Sequence, residues 1–407
     1  MKPNPANDLL AREVDKPKLT LPNPIGSLSF ADIPTVQHVF SPFYAEGFVS
    51  MTVGPPKLGK SAYAVWESVM AASGYGGKEP VVTYYHNAED DGFILQGRVA
   101  AICRAYGLND AELTNLRQNL ILTGAEHTID GEQGLILVTG QDAVRNDRAF
   151  EYLDAVIDKN GVKLCILEPL QDLTTSPETN EVFRSMGKAI REFVKRKRIA
   201  LGLYHHTRKL TIGQKVTMDD ARGGSAIRGF CRSNRLLVPM TEGEGINAQV
   251  KDHRHYFRIG EIEANLAPPS SDVNQWYEKI GVLIENGENV VAVKPWKWPD
   301  AFAQITHEMA CRVYNLVLDA DPPFRYSHQS SEWLGYAIAP LLNIQIPPPS
   351  DKQERKQVIG HLRQILATWE HTGVLAKDEV LDAKRMPRPC YVVGQNNPAE
   401  TEFGDEL

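Results

Sequence analysis

The sequence predicts an α/β fold with a largely parallel sheet extended by antiparallel strands, followed by a small C-terminal helical, winged-helix-like domain. Three observations predict it. Short apolar runs alternate with helix-compatible stretches between Phe48 and Tyr204, the pattern of a parallel sheet flanked by helices. Strand-like runs separated by turn signals such as Asn286-Gly287 follow from Arg235 to Trp298. After Pro299 the pattern turns helical and closes on two short strand-like runs.

In chain order, residues 1–30 are rich in proline, asparagine and charge and read as a flexible N-terminal arm. The main domain spans residues 31–298. Its parallel strand candidates are Phe48 to Val53, Val81 to Tyr85, Leu120 to Thr123, Val162 to Leu167 and Ile199 to Tyr204. The antiparallel candidates are Arg235 to Val238, Tyr256 to Ile262, Trp276 to Ile284 and Val290 to Val293. Lys294-Pro295-Trp296-Lys297-Trp298-Pro299 reads as a break and sets a domain boundary. Residues 299–394 contain helical runs near Ile305 to Leu318, Ser330 to Leu342 and Asp351 to His371, then runs at Gly373 to Leu375 and Cys390 to Val393 that pair as a hairpin. Within the third helix Val358, Leu362, Ile365, Leu366 and Trp369 share a stripe at about 100° per residue, and Lys352, Lys356 and Arg363 share a second stripe about 120° away. Residues 395–407 read as an acidic tail.

With 407 residues, 42% hydrophobic and 23% charged, the composition excludes disordered and fibrous classes. The net charge of −7 gives no bulk attraction for nucleic acid, so such binding needs a local patch. Five single cysteines without a CxxC pair exclude a disulfide framework and a cysteine zinc site and fit a reducing compartment. No run has the length of a signal-peptide core or a membrane span, so the expectation is a cytoplasmic protein with no membrane partner.

The chemistry begins at Gly54-Pro55-Pro56-Lys57-Leu58-Gly59-Lys60-Ser61, which fits the phosphate-binding loop G-x-x-x-x-G-K-S/T without a mismatch. An apolar strand runs into it and a helix-compatible stretch, Ala62 to Ala72, runs out. In that geometry backbone N–H groups wrap the phosphates, Lys60 reaches the β and γ phosphates, and the Ser61 hydroxyl ligates Mg²⁺. The next strand ends in His86-Asn87-Ala88-Glu89-Asp90. Glu89 is the candidate to orient an attacking water, the alternative being a loop carboxylate that caps the following helix. Val162 to Leu167 ends at Glu168-Pro169, where a carboxylate supports Mg²⁺ or only hydrogen-bonds Ser61.

Ile199 to Tyr204 leads into His205-His206-Thr207-Arg208-Lys209. Strand side chains alternate, so at most one of the two histidines faces the phosphates. Downstream, Arg222-Gly223-Gly224-Ser225, Arg228, Arg232 and Arg235 gather guanidiniums, which serve either as a solvated surface or as a charge delivered to a neighbour's phosphates.

The succession of phosphate loop, Ala88-Glu89-Asp90, Leu164 to Pro169, Tyr204 to Lys209 and Arg222 to Ser225 resembles the RepA-like branch of the RecA-type ATPases, over roughly residues 40–265. That branch includes a plasmid hexameric helicase and ATPases of phages and mobile elements. The resemblance implies a RecA-like core, ATP hydrolysis with Mg²⁺, and a ring or filament. It implies nucleotide contacts from the loop through Ala62 and metal support from Ser61 and Glu168, where the branch usually has aspartate. It further implies Glu89 as catalytic base, His206 as strand-end sensor with His205 its rival, and Arg232 as arginine finger with Arg208 and Arg235 as rivals. The region after 299 is similar, more distantly, to winged-helix-like tails of such ATPases.

The expected function is an oligomeric ATPase, hexameric in the implied arrangement, acting on single-stranded DNA in replication or recombination of a mobile element. The alternative is a nucleotide-gated DNA-binding regulator or helicase loader, in which the Asp351 to His371 helix enters the major groove of duplex DNA.

Overall fold

The computed structural model of the protein describes residues 29, 31, 33–127, 129, 134–139, 142–174, 179–207, 217–220, 229–264, 274–299, 305–381 and 385–400. Residues 38–407 form one compact unit and residues 1–37 another. Most of the expected N-terminal arm, the end of the acidic tail, and Arg208, Arg222-Gly223-Gly224-Ser225 and Arg228 lie outside the described residues.

The strands in chain order are β1 (Val49–Gly54), β2 (Thr83–Asn87), β3 (Leu120–Thr123), β4 (Ile136–Thr139), β5 (Asp142–Arg145), β6 (Leu164–Glu168), β7 (Ala200–His206), β8 (Ser233–Pro239), β9 (Tyr256–Ala264), β10 (Trp276–Leu283) and β11 (Asn289–Trp296). Nine of them make one sheet in the order β11-β10-β9-β8-β1-β7-β6-β2-β3. The pairs from β8 through β3 are parallel, and β9, β10 and β11 continue the sheet antiparallel. β4 and β5 pair with each other in a hairpin the apolar-run pattern did not anticipate, and Ile136 of β4 adds a bridge to Thr174.

The parallel strands are buried throughout in β1, β2 and β6, because helices cover both sheet faces. On one face lie α1 (Lys60–Ser73), α2 (Gly92–Tyr106) and α3 (Asp110–Asn119), packed over Tyr85, Ile166 and Tyr204. On the other lie α4 (Asp147–Asn160) and α5 (Asn180–Lys197), packed over Met51, Leu167 and Leu203. Ala62, Ala64, Ala71 and Ala72 let α1 approach the sheet closely. The basic end of α5 opposes its dipole and pairs with α4, through Arg196 to Asp154 at 2.8 Å and Lys197 to Asp158 at 2.7 Å.

The expected break at Lys294 needs correction. β11 continues through Lys294, Pro295 and Trp296, with Pro295 opposite Tyr277. β11 is the sheet's outermost strand, where a proline's missing N–H costs no ladder bond. After a short helix α6 (Glu242–Asn247), which precedes β9, the remaining helices are α7 (His307–Leu318), α8 (Leu334–Ile338) and α9 (Lys352–His371). α8 is much shorter than the Ser330 to Leu342 run suggested. β12 (Leu375–Leu381) and β13 (Pro387–Val393) pair antiparallel, and Arg325 adds a bridge to Cys390. This C-terminal stretch has its own core, in which Leu362, Ile365, Leu366 and Trp369 of α9 pack on Trp333, Leu334 and Ile338.

α9 is docked on α6. Gln357 Nε2 donates to the Val250 carbonyl at 2.9 Å and Lys356 pairs with Glu242 at 2.7 Å. A β-carbon on Gly360 would stand 2.5 Å from Ile246 Cγ2, so only glycine permits this approach. Lys352 and Arg363 of the same basic stripe remain exposed.

A second correction concerns Arg235. It is 3% exposed on β8, so it is no arginine finger. Its guanidinium forks onto Glu67 of α1, with Nη1 to Oε1 at 2.8 Å and Nη2 on Oε2, while its Nε donates to Thr52 Oγ1 at 2.8 Å. Tyr44 and Tyr204 hydroxyls also donate to Glu67 Oε2, at 2.6 and 2.5 Å. Removing one partner strands the other charge in the core, so Arg235→Ala or Glu67→Ala is expected to cost about 3–5 kcal/mol. Urea unfolding of the single variants beside Glu67→Leu/Arg235→Met checks this, the double variant losing less than either single one.

Candidate active site

Parallel strands leave their C-terminal ends at one edge of the sheet, and that edge holds the chemistry. Gly54 at the end of β1 lies opposite His206 of β7, and Asn87 of β2 opposite Glu168 of β6. The loop Gly54–Ser61 leaves the same edge. Leu58 is buried and anchors it, while Pro56 and Lys57 are exposed. Gly59 sits at φ 108°, a conformation side chains disfavour, and α1 begins there with no side-chain cap on its first amides. Those amides remain for an anion.

Lys60 is almost fully buried, and its ammonium donates to the Pro55 carbonyl and to His206 Nδ1, each at 2.9 Å. An ammonium has only donors, so His206 accepts at Nδ1 and carries its proton at Nε2. That nitrogen faces Glu89 Oε1 at 3.8 Å. Burial lowers the Lys60 pKa to about 8, against the opposing charges of Glu168 and Glu89.

Ser61 Oγ donates to Glu168 Oε1 at 2.8 Å, and Tyr85 OH donates to Glu168 Oε2 at 2.8 Å. Asn87 Nδ2 donates to the Tyr85 oxygen at 3.0 Å, while Asn87 Oδ1 accepts from the backbone N–H of Glu89 and of Asp90, both at 2.8 Å. One chain of hydrogen bonds therefore runs from the loop serine to the backbone that aims Glu89. Burial raises the Glu168 pKa, opposed by its two hydroxyl donors and Lys60. The Glu89 side chain is 45% exposed, open to water, and burial followed by the neighbouring Asp172 and Asp90 raises its pKa too.

Lys60, Ser61, Glu89, Glu168 and His206 are thus brought together. His205 points to the opposite face, its ring against Phe183 at 6.1 Å, because it alternates with His206 along β7. Arg232 is not brought here. It is exposed, and its backbone N–H donates to the Val49 carbonyl at the start of β1, a whole strand away from the loop. Residue patterns missed Tyr85, Asn87 and Asp172. Tyr85 and Asn87 alternate on one face of a strand that ends at this edge, the one signal that marked them.

Among the described residues no group of three or more His, Cys, Asp or Glu could hold a metal. The hydroxyl–carboxylate pair Ser61–Glu168 is a hard oxygen donor set that fits Mg²⁺ completed by phosphate oxygens and water. The first amides of α1, which no side chain caps, and a buried lysine with no carboxylate in contact among the described residues fit a nucleoside triphosphate. The residues present therefore suit both groups.

Residues 16–211 match the family model described as AAA domain. No curated protein matches the chain. Among solved structures, one described as an ATPase domain aligns at 12% identity, covering 60% of this chain and 85% of that one, with a TM-score of 0.38. The loop and its parallel sheet thus form an α/β phosphate-binding-loop domain, and residues 16–211 are similar to the AAA domain family. No helix among the described residues is long and apolar enough to cross a membrane.

The pH dependence of binding follows from Lys60. Phosphates hold its charge, so above pH 8 binding must first restore a proton. Nucleotide affinity is expected to be flat near pH 7 and to fall about tenfold by about pH 9. Titration of a fluorescent ATP analogue across that range checks this, and an affinity unchanged to about pH 9 contradicts it.

Proposed function

We propose that the chain is a Mg²⁺-dependent ATPase that acts on single-stranded DNA as an assembly of several copies. On this reading it is a helicase or translocase of the RepA-like, RecA-type branch, serving replication or recombination of a phage, plasmid or integrated element. The observation that carries the ATPase reading is the convergence of Lys60, Ser61, Glu168, Glu89 and His206 at one sheet edge. Lys60 and the amides from Gly59 to Ala62 bind the phosphates. Ser61 and Glu168 would hold Mg²⁺, which would supply neutralisation of phosphate charge. Glu89, with its raised pKa and open side, takes the proton of the attacking water. His206 reports whether Lys60 is engaged, because one atom of its ring is already bonded to that ammonium.

Arg232 lies out of reach of its own loop and exposed, as a finger for a neighbouring copy must be. The DNA reading is supported by resemblance and by Lys352 and Arg363, exposed on α9 in a groove of about 1160 Å³ that Tyr326 and Tyr336 also line.

Phosphate release from ATP with Mg²⁺ tests this. Wild type is expected to hydrolyse ATP, faster with single-stranded DNA, and Lys60→Ala and Glu89→Gln to lose at least about a hundredfold. Turnover indifferent to DNA contradicts the motor reading.

One observation favours the second reading, a nucleotide-gated DNA-binding regulator or loader. The C-terminal stretch carries helices followed by a hairpin, which supports the winged-helix-like reading, and α9 is docked on α6 through Lys356 and Glu242. Exposing α9 then requires undocking, which nucleotide would control. Salt-sensitive duplex binding without unwinding, lost when Lys352, Lys356 and Arg363 are all changed to alanine, favours this reading. Duplex binding intact in the triple variant overturns it.

A further inference from the structure

We propose that Lys279, on β10, is an accessory cation of the nucleotide site that binds the phosphate chain beside Lys60. This deepens the ATP reading above and rests on it. No motif points to Lys279, which lies 219 residues from Lys60 in a strand of the antiparallel extension.

The packing of β10 on α1 brings it there. Tyr277 and Lys279 are two apart in a strand and share a face, and Gly59 and Tyr63 are four apart and share a helix face. Tyr277 packs edge-on against Tyr63 with ring centroids 5.0 Å apart, and the two hydroxyls meet at 3.4 Å. One step further, the Lys279 stem lies on Gly59: a β-carbon there would stand 3.0 Å from Lys279 Cδ and 3.6 Å from Cγ. The glycine required for the loop's backbone therefore also gives the lysine its seat. From Cδ the ammonium is two bonds on, within reach of whatever the loop amides hold.

Its charge has no partner among the described residues. The acidic group that acts on it electrostatically, Asp252, already binds Arg254 through side-chain contacts at 2.9 and 2.8 Å. Lys279 is half-buried, and that burial disfavours its charged form. A methionine or leucine would cover Gly59 equally well. An ammonium held at the mouth of a phosphate loop without an anion is poised for an anionic ligand, and the phosphate chain is the anion the loop is built to hold.

The test is equilibrium binding of a fluorescent ATP analogue with Mg²⁺ at low and high salt, for the full chain and for Lys279→Met, Lys279→Arg and Lys60→Ala. Lys279→Met keeps the stem and removes the charge. It is expected to weaken binding on the order of tenfold at low salt and to flatten the salt dependence, while Lys279→Arg stays within about threefold of wild type. Lys279→Met binding as tightly as wild type overturns the inference. Met and Arg variants weakened alike also overturn it, because a retained positive charge would then rescue nothing. Wild type that fails to bind, like Lys60→Ala, overturns the ATP site itself and this inference with it.

Discussion

Parallel register is the constraint on which the rest depends. Because β1, β7, β6 and β2 pair in parallel, Gly54, His206, Glu168 and Asn87 finish at one edge, although they lie far apart in the chain. A slip of β7 by one residue would exchange His206 for His205 and turn the ring bonded to Lys60 away from the loop. The register is in turn held by burial of alternate side chains on both faces, Leu203 toward α5 and Tyr204 toward α1. The core thus sets the geometry of the site before any catalytic group is considered.

The helix α1 carries two buried charges seven residues apart, and their surroundings separate function from structure. Glu67 is met by Arg235, Tyr44 and Tyr204, a closed network that has no need of a ligand. Among the described residues Lys60 is met by a carbonyl and an imidazole, both neutral, and burial lowers its pKa. A buried cation without an opposing charge in contact is a destabilising arrangement, retained where an anion is to be bound. At Glu168 the reverse holds: Ser61 and Tyr85 donate to it, which keeps an expensive buried carboxylate in one orientation.

Much of this was legible in the sequence. Strands buried on both faces read as apolar runs, and the loop, Glu89, Glu168 and the histidine pair follow their strands directly, so local pattern located them. Alternation limited the histidines to one facing the loop, and the fold puts His206 there. Arg235 was misread because its partner Glu67 stands 168 residues away, and a contact of that span leaves no local trace. Pro295 misled for a different reason: a proline breaks an inner strand but not the outermost one, and strand order is a tertiary fact. Tyr85 and Lys279 belong to the site through packing alone, Tyr85 by an OH that reaches across to β6 and Lys279 by the strand that crosses α1.

The most direct measurement is a crystal structure with Mg²⁺ and a non-hydrolysable ATP analogue. The account predicts that the phosphates lie in the Gly54–Ser61 loop and that Lys60 Nζ leaves the Pro55 carbonyl and His206 Nδ1 for the β and γ phosphates. It also predicts Mg²⁺ on Ser61 Oγ with Glu168 beside it. An analogue bound elsewhere, or Lys60 still held by Pro55 and His206 with the loop occupied, would contradict it.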